Sequence, residues 1–284
     1  MRIDAHQHFW QYNPARDGWI TDEMAVLKKD FLPVQLMPEL AANNMQGCIA
    51  VQADQSETET NFLLELAGRY NVIHGVVGWV DLCADNVSER LEFFSQYPKL
   101  CGFRHIVQAE ADDRFMLRPA FLRGIKLLEK FGLTYDILIY ARQLPAAIEL
   151  VSQCPNQFFV IDHIAKPSIQ DKTLHPWSRD LRALAQNPNV YCKISGLVTE
   201  ADWKQWTAGD FRPYLDAVFE AFGADRLMFG SDWPVCLLAA EYQQVLELVA
   251  SYMRNMPLRD IEKVFGSNAA HFYGQRALRH AIAT

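Results

Sequence analysis

No stretch of the 284-residue chain approaches the roughly 20 consecutive apolar residues that a membrane-spanning helix needs, so no membrane partner is expected. Lysine and arginine form no block, and the net charge is -7 at pH 7. A nucleic-acid surface needs a basic stripe, and none is present. The six cysteines (Cys48, Cys83, Cys101, Cys154, Cys192 and Cys236) are scattered without a C-x-x-C pair. Cys48, Cys101 and Cys192 fall inside apolar runs, where a thiol behaves as a small hydrophobe. Met1-Arg2-Ile3-Asp4 opens no apolar secretory segment, so the expectation is a cytoplasmic enzyme with reduced thiols. Nucleophile and nucleotide motifs are missing too: no G-x-S-x-G, no P-loop, no H-E-x-x-H. Any hydrolytic chemistry must come from an activated water. No Pro/Gly/Ser linker or low-complexity stretch interrupts the chain, and residues 1–284 read as one domain.

What the sequence does contain is a rhythm. Eight short apolar or β-branched runs recur, each followed by an amphipathic stretch: Arg2–His8, Cys48–Ala53, Val72–Val80, Leu100–Val107, Thr134–Tyr140, Phe158–His163, Val190–Ser195 and Arg226–Asp232. Strand–helix alternation without tight hairpins argues a parallel sheet, and eight repeats argue closure into an α/β (β/α)8 TIM barrel. An open doubly wound sheet is the alternative, but no G-x-G-x-x-G follows a strand. The first interval is long. Its surplus between Trp10 and Pro33 holds Trp10, Tyr12, Trp19 and Phe31 beside the turn signal Asp17-Gly18. Leaving the C-terminal end of the first strand, it is expected to lie over the barrel mouth, where such enzymes build their sites.

Chemistry is therefore sought at the strand ends. The first run ends in His6-Gln7-His8. In a regular strand residues i and i+2 share a face, so Asp4, His6 and His8 should look one way and Ile3, Ala5 and Phe9 the other. The sixth run ends in Asp162-His163, the seventh in Ser195-Gly196, the eighth in Ser231-Asp232-Trp233-Pro234. In a closed barrel the first and eighth strands are neighbours, which brings His6, His8 and Asp232 together with His163 two strands away. Three imidazoles and a carboxylate suit one divalent cation, zinc above all. Asp232 can also take a proton from a neighbouring water; its bland alternative is a helix cap before Pro234. In the fourth run, apolar flanks turn His105 toward the helices and Arg104 into the barrel. There Arg104 either stabilises developing charge or pairs with Asp4 or Asp136. Trp79, Tyr140 and Lys166 follow the third, fifth and sixth runs and are candidates for sugar contacts, with packing or solvation as the plainer reading.

Taken together, Ile3-Asp4-Ala5-His6-Gln7-His8, His163 and Ser231-Asp232-Trp233-Pro234 resemble the amidohydrolase superfamily in its amidohydrolase-related branch. The phrases Gly75–Leu82, Gly102–His105, Asp162–Pro167 and Lys193–Glu200 resemble, more narrowly, sugar lactonases of the L-fuconolactonase and L-rhamnonolactonase type. The resemblance spans essentially the whole chain. It implies a hydrolase that opens a small sugar aldonolactone, with His6, His8 and His163 polarising the carbonyl directly or through one cation. Asp232 would be general base and then acid, and Arg104 would steady the negative charge. Many superfamily members hold a second metal with Lys or His at the end of strand five; Thr134–Tyr140 offers neither, which argues against a binuclear site. Related pyrone-dicarboxylate lactonases work without metal, so both metal-assisted and metal-free opening stay open at this point. A metal-dependent decarboxylase of the same branch and a non-catalytic sugar-binding barrel are the competing readings. A homo-oligomer is compatible with all three.

Overall fold

The computed structural model describes residues 1–274. Eight strands, β1 (Ile3–Gln7), β2 (Gly47–Val51), β3 (Ile73–Gly78), β4 (Leu100–His105), β5 (Thr134–Ile137), β6 (Phe159–Ile161), β7 (Val190–Ile194) and β8 (Leu227–Phe229), form one sheet in sequential order. Every neighbouring pair from β1–β2 through β7–β8 is parallel. The connections carry α1 (Pro33–Ala42), α2 (Glu57–Arg69), α3 (Val87–Phe94), α4 (Pro119–Leu128), α5 (Leu144–Ser152), α6 (Trp177–Ala185), α7 (Ala208–Phe222) and α8 (Tyr242–Tyr252). Two short helices follow, α9 (Leu258–Glu262) and α10 (Asn268–Tyr273). This is the expected TIM barrel. No helix among the described residues is long and apolar enough to cross a membrane.

Local chemistry accounts for the elements. The helix α2 starts where the Ser56 hydroxyl accepts the Glu59 N–H at 3.2 Å, and it buries Leu63 and Ala67. A serine cap of this kind is worth about 1 kcal/mol. The helices α4 and α5 both open with proline in the first turn, where a missing N–H costs nothing. Inside the barrel, Ile3 and Ala5 meet Val51, Val77, Val160 and Met228, and α10 closes the lower end with Phe272 and Tyr273.

The alternation expected for β1 fails. Asp4 pairs with Cys48 but Gln7 with Ala50, so three residue steps on β1 face two on β2. This bulge lets Ala5 and His6 both turn inward. Ile3 and Ala5 thus share the lumen with the histidines, and Asp4 points outward, where the Tyr242 hydroxyl of α8 reaches it at 3.1 Å. The eighth strand and β1 meet without a ladder. Their edges are joined by the isolated bridge of Gln7 with Trp233, the Asp232 N–H on the His6 carbonyl (2.8 Å) and the His8 N–H on the Trp233 carbonyl (2.7 Å).

The long first connection lies over the mouth as expected. Trp10 and Phe31 exchange backbone hydrogen bonds of 2.9 Å in each direction. Their rings pack edge to face at 5.4 Å, and Phe31 meets Trp233 at 5.1 Å.

Candidate active site

At the bottom of the mouth three donor atoms converge. His6 Nε2 and His8 Nε2 are 3.2 Å apart, His8 Nε2 lies 3.3 Å from Asp232 Oδ1, and His6 Nε2 lies 3.8 Å from the same oxygen. All three residues are buried. Ligand atoms about 2.0–2.1 Å from a tetrahedral zinc stand roughly 3.3 Å apart; the two edges at His8, 3.2 and 3.3 Å, match that spacing, and the His6–Asp232 edge is wider at 3.8 Å. The His8 tautomer agrees. His8 Nδ1 faces the Val51 carbonyl at 2.8 Å and must donate to it, which leaves the Nε2 lone pair aimed at the triangle. Burial holds His6 well below its usual imidazole range and His163 down to about 4, against the opposing pull of nearby carboxylates. Both are therefore neutral at pH 7, as ligands must be. Burial pushes Asp232 upward, but His163, His8 and His6 outweigh it and keep this carboxylate well below its ordinary range.

Close packing across the wall makes the triangle possible. A Cβ on Gly230 would sit 2.5 Å from the His6 Cβ, so only glycine lets β8 approach β1 this closely. Asp232 itself takes a left-handed φ of 59°, which swings its carboxylate toward His8. Asp232 lies beyond the expected strand end: β8 stops at Phe229, and the turn after it does the placing.

His163 arrives differently from the expected strand end. The sixth strand stops at Ile161, and His163, Ile164, Ala165 and Lys166 then all have positive φ (52°, 48°, 61° and 45°). A left-handed turn costs roughly 1–2 kcal/mol per residue for L-amino acids. Full burial of the Ile164 side chain, worth about 1.5–3 kcal/mol, offsets part of that. The Trp177 Nε1–H on the Ile164 carbonyl, at 2.7 Å, holds the turn. The result is that Asp162 and His163, consecutive in sequence, both face the site. His163 Nε2 stands 4.0 Å from Asp232 Oδ1, outside the tight triangle, and its Nδ1 shares a 2.9 Å hydrogen bond with Ser195 Oγ. A Cβ on Gly196 would come within 2.5 Å of that Nδ1.

Beneath the triangle lies a layer of charge that the sequence did not announce. Lys193, completely buried, sits 2.5 Å from Asp136 Oδ2, 2.9 Å from Asp162 Oδ1 and 3.1 Å from His6 Nδ1. Arg104 points into the barrel and His105 out of it, as expected. The partner of Arg104 is a correction, however. Its Nη1 donates to Asp162 Oδ2 at 2.9 Å, not to Asp4 or Asp136, and its Nη2 donates to the Gln52 carbonyl. The cause is alternation along each strand: Asp162 follows Val160 into the lumen by a step of two, whereas Asp4 points outward between the lumen-facing Ile3 and Ala5. Burial pushes Asp162 up, but Lys193, His6 and Arg104 together hold it well below the carboxylate range. Burial wins at Asp136, raised to about 6 against the Lys193 ammonium. His6, Asp162 and His163 make a second group of potential metal donors, yet both Asp162 oxygens already face fixed cations.

Above the triangle opens a cavity of about 310 Å³. One flank is apolar, built by Trp10, Trp19, Ile106, Leu138 and Val235; Gln108, Lys166 and Arg104 supply polar groups. Lys166 Nζ pairs with Glu200 at 3.3 Å. Trp79 and Tyr140 stand outside this lining. Trp79 Nε1 donates to His105 Nδ1 at 3.3 Å, and the Tyr140 ring carries the Arg142 guanidinium at 5.0 Å and the Lys166 ammonium at 5.6 Å.

A barrel with this His-x-His, a third imidazole and a mouth aspartate defines a metal-assisted hydrolase architecture, and the chain belongs to the amidohydrolase family, whose model matches residues 3–275. Within that family it is similar to L-fucono-1,5-lactonase of Burkholderia multivorans, 44% identical over 96% of each chain. L-fucono-1,5-lactonase of Burkholderia ambifaria is 37% identical over 96% of this chain and 95% of the relative. A crystal structure of an amidohydrolase from Burkholderia multivorans with bound zinc superimposes with a TM-score of 0.93 at 43% identity, covering 96% of this chain and 99% of that one. The donor set here fits the same kind of ion: the barrel carries a divalent-metal site of zinc type.

Proposed function

We propose that this protein hydrolyses a sugar aldonolactone, of the kind named for its lactonase relatives, to the open-chain aldonic acid. The observation that carries the proposal is the triangle of His6, His8 and Asp232 at the floor of a cavity sized for a single sugar ring. His6, His8 and Asp232 would hold the cation, with His163 beside them. When bound there, a zinc-type ion supplies Lewis acidity toward the lactone carbonyl and its attacking water.

The chain's own groups do the rest. Asp232, ionised throughout the neutral range, takes a proton from the water as its oxygen bonds to the lactone carbon. Negative charge then gathers on the former carbonyl oxygen. The Arg104 guanidinium lies 3.3 Å from His6 Nε2 and lines the cavity, and it stabilises that charge. With the Ser195 hydroxyl donating to Nδ1, His163 turns an Nε2–H toward the same space. Collapse breaks the bond from carbon to ring oxygen, and protonated Asp232 returns its proton to the departing oxygen. The Trp10 and Trp19 indoles cover one face of the ring, and Lys166 meets its hydroxyls.

The test is a panel of aldonolactones followed by proton release, with the protein stripped by chelator and reconstituted with zinc. Turnover that returns with zinc and vanishes in Asp232→Asn is expected. Failure of the zinc-loaded protein on every lactone, or carbon dioxide release from carboxylic acids instead, would refute the reading.

A further inference from the structure

The three atoms of the triangle come from the two sides of one seam, where β8 meets β1 without a ladder. His6 and His8 belong to one edge, Asp232 to the other. Ladder hydrogen bonds fix strand spacing elsewhere in the barrel; here two backbone bonds, from Asp232 N–H to the His6 carbonyl and from His8 N–H to the Trp233 carbonyl, share that task with a side chain. Asp4 lies at this seam, fully buried on the outer side of the wall and in contact with no ion-pairing cation among the described residues. Its Oδ1 accepts the His6 N–H (3.1 Å) and the Ser231 N–H (2.9 Å). Its Oδ2 accepts the Ser231 hydroxyl (2.6 Å) and the Tyr242 hydroxyl of α8 (3.1 Å). The Ser231 oxygen in turn accepts the Trp233 N–H at 3.0 Å. One carboxylate therefore grips the backbone of a metal-site histidine and Ser231 on one side of Asp232, and through the Ser231 hydroxyl it reaches Trp233 on the other.

We infer that Asp4 is a positioning residue that sets the distance between the imidazoles and Asp232, and so tunes both the grip on the cation and the turnover rate. The inference rests on the lactonase reading only for its kinetic arm. Asp4 touches neither cavity nor substrate, so substrate affinity lies outside its reach. Its mode of action also separates the variants. Asp4→Ala removes both acceptor oxygens with the four hydrogen bonds they accept, and strands two buried N–H groups. Asp4→Asn keeps one acceptor oxygen, and the two hydroxyls can rotate to accept from the new amide. Tyr242→Phe deletes a single donor.

The experiment measures zinc affinity by chelator competition, together with kcat, KM and the thermal midpoint, for all three full-length variants. Outer groups that orient metal ligands typically change affinity or activity by about 10–100-fold when removed. Asp4→Ala is expected to lose zinc affinity and kcat by that order with KM within about threefold, and Asp4→Asn to recover most of both. Tyr242→Phe should lie closest to the parent. If Asp4→Ala does not fold, a drop of severalfold in zinc affinity for Asp4→Asn decides the question. A lowered thermal midpoint with zinc affinity and kcat unchanged in every folded variant overturns the inference. The zinc measurement stands even when no lactone is turned over, so failure of the functional reading and failure of the positioning role give different results.

Discussion

Two clusters of buried charge are stacked in the same barrel, and they are built on opposite principles. The lower one, Asp136, Asp162, Lys193 and Arg104, brings two carboxylates and two fixed cations into contact at 2.5–2.9 Å. It neutralises itself. The upper one, His6, His8, His163 and Asp232, contains one carboxylate and three imidazoles whose Nε2 atoms face each other and the cavity. Among the described residues no lysine or arginine pairs with Asp232, and the donor atoms are spaced for an ion from outside. Satisfied charge is scaffold, and unsatisfied donors are site; the lumen separates the two by one residue layer. His6 belongs to both, with Nδ1 among the scaffold and Nε2 in the triangle.

The largest effects should break the upper cluster. Asp232→Asn removes the proton acceptor and an anionic ligand together; a general base is worth about 10²–10⁴ in rate. A fall in kcat of at least that order is expected, with bound zinc reduced and thermal stability of the zinc-free protein preserved. Retention of parent activity would remove Asp232 from the mechanism. The lower cluster should break in the opposite sense. Lys193→Met leaves Asp136 and Asp162 buried without their ammonium, and a stranded partner of a buried pair costs about 3–5 kcal/mol. Urea denaturation of the zinc-free protein measures this. Asp136→Asn added to Lys193→Met should restore part of the loss, and equal stability of single variant and parent would show that the lower cluster is no scaffold.

The contrast also explains what the sequence could tell. Strand count, parallel order and the lid were legible because each depends on periodicity and length, which survive local irregularity. His8, His163 and Asp232 were legible because they end three of the runs, and His6 because it stands two residues before His8 in the first of them. Asp162 and Lys193 were hidden for different reasons. Strict alternation places Asp162 opposite His163, and only the left-handed turn through Ile164 brings both inward. Lys193 alternates inward regularly with Tyr191 on β7, but a lysine inside an apolar run is read as an edge residue until its two carboxylates are seen beside it. Asp4 does not share the face of His6 and His8, and the one-residue bulge that separates them is invisible in a pattern of period two. Trp79 and Tyr140 do follow strands, but the Trp79 indole is engaged by His105 and the Tyr140 ring by Arg142 and the cavity-rim Lys166.

Smaller changes sharpen the same comparison at its edges. Lys166 belongs to the cavity rim, paired to Glu200 rather than locked between carboxylates. Lys166→Met should therefore leave stability unchanged and raise KM about tenfold, the value of one charge-assisted contact, with little effect on kcat. Equal losses in kcat and kcat/KM would instead place its ammonium in the transition state.

Glu59 tests what a buried carboxyl does with neither a locked cation nor a ring of imidazoles. Its Oε2 accepts the Ala53 and Asp54 N–H groups at 2.9 and 2.6 Å, yet burial outweighs these bonds and lifts it from an ordinary 4.5 to about 8. The folded protein thus holds a proton on Glu59 that the unfolded chain releases near pH 4.5. Its stabilising contribution is complete below that pH and is lost as pH rises through about 8, at about 1.4 kcal/mol per unit for one proton. Glu59→Gln cannot ionise and should flatten the decline in denaturation midpoint between pH 5 and pH 8 by that slope, with lactone turnover unaltered. Parallel stability curves for parent and variant would mean that the backbone donors keep Glu59 ionised, as the imidazoles keep Asp232.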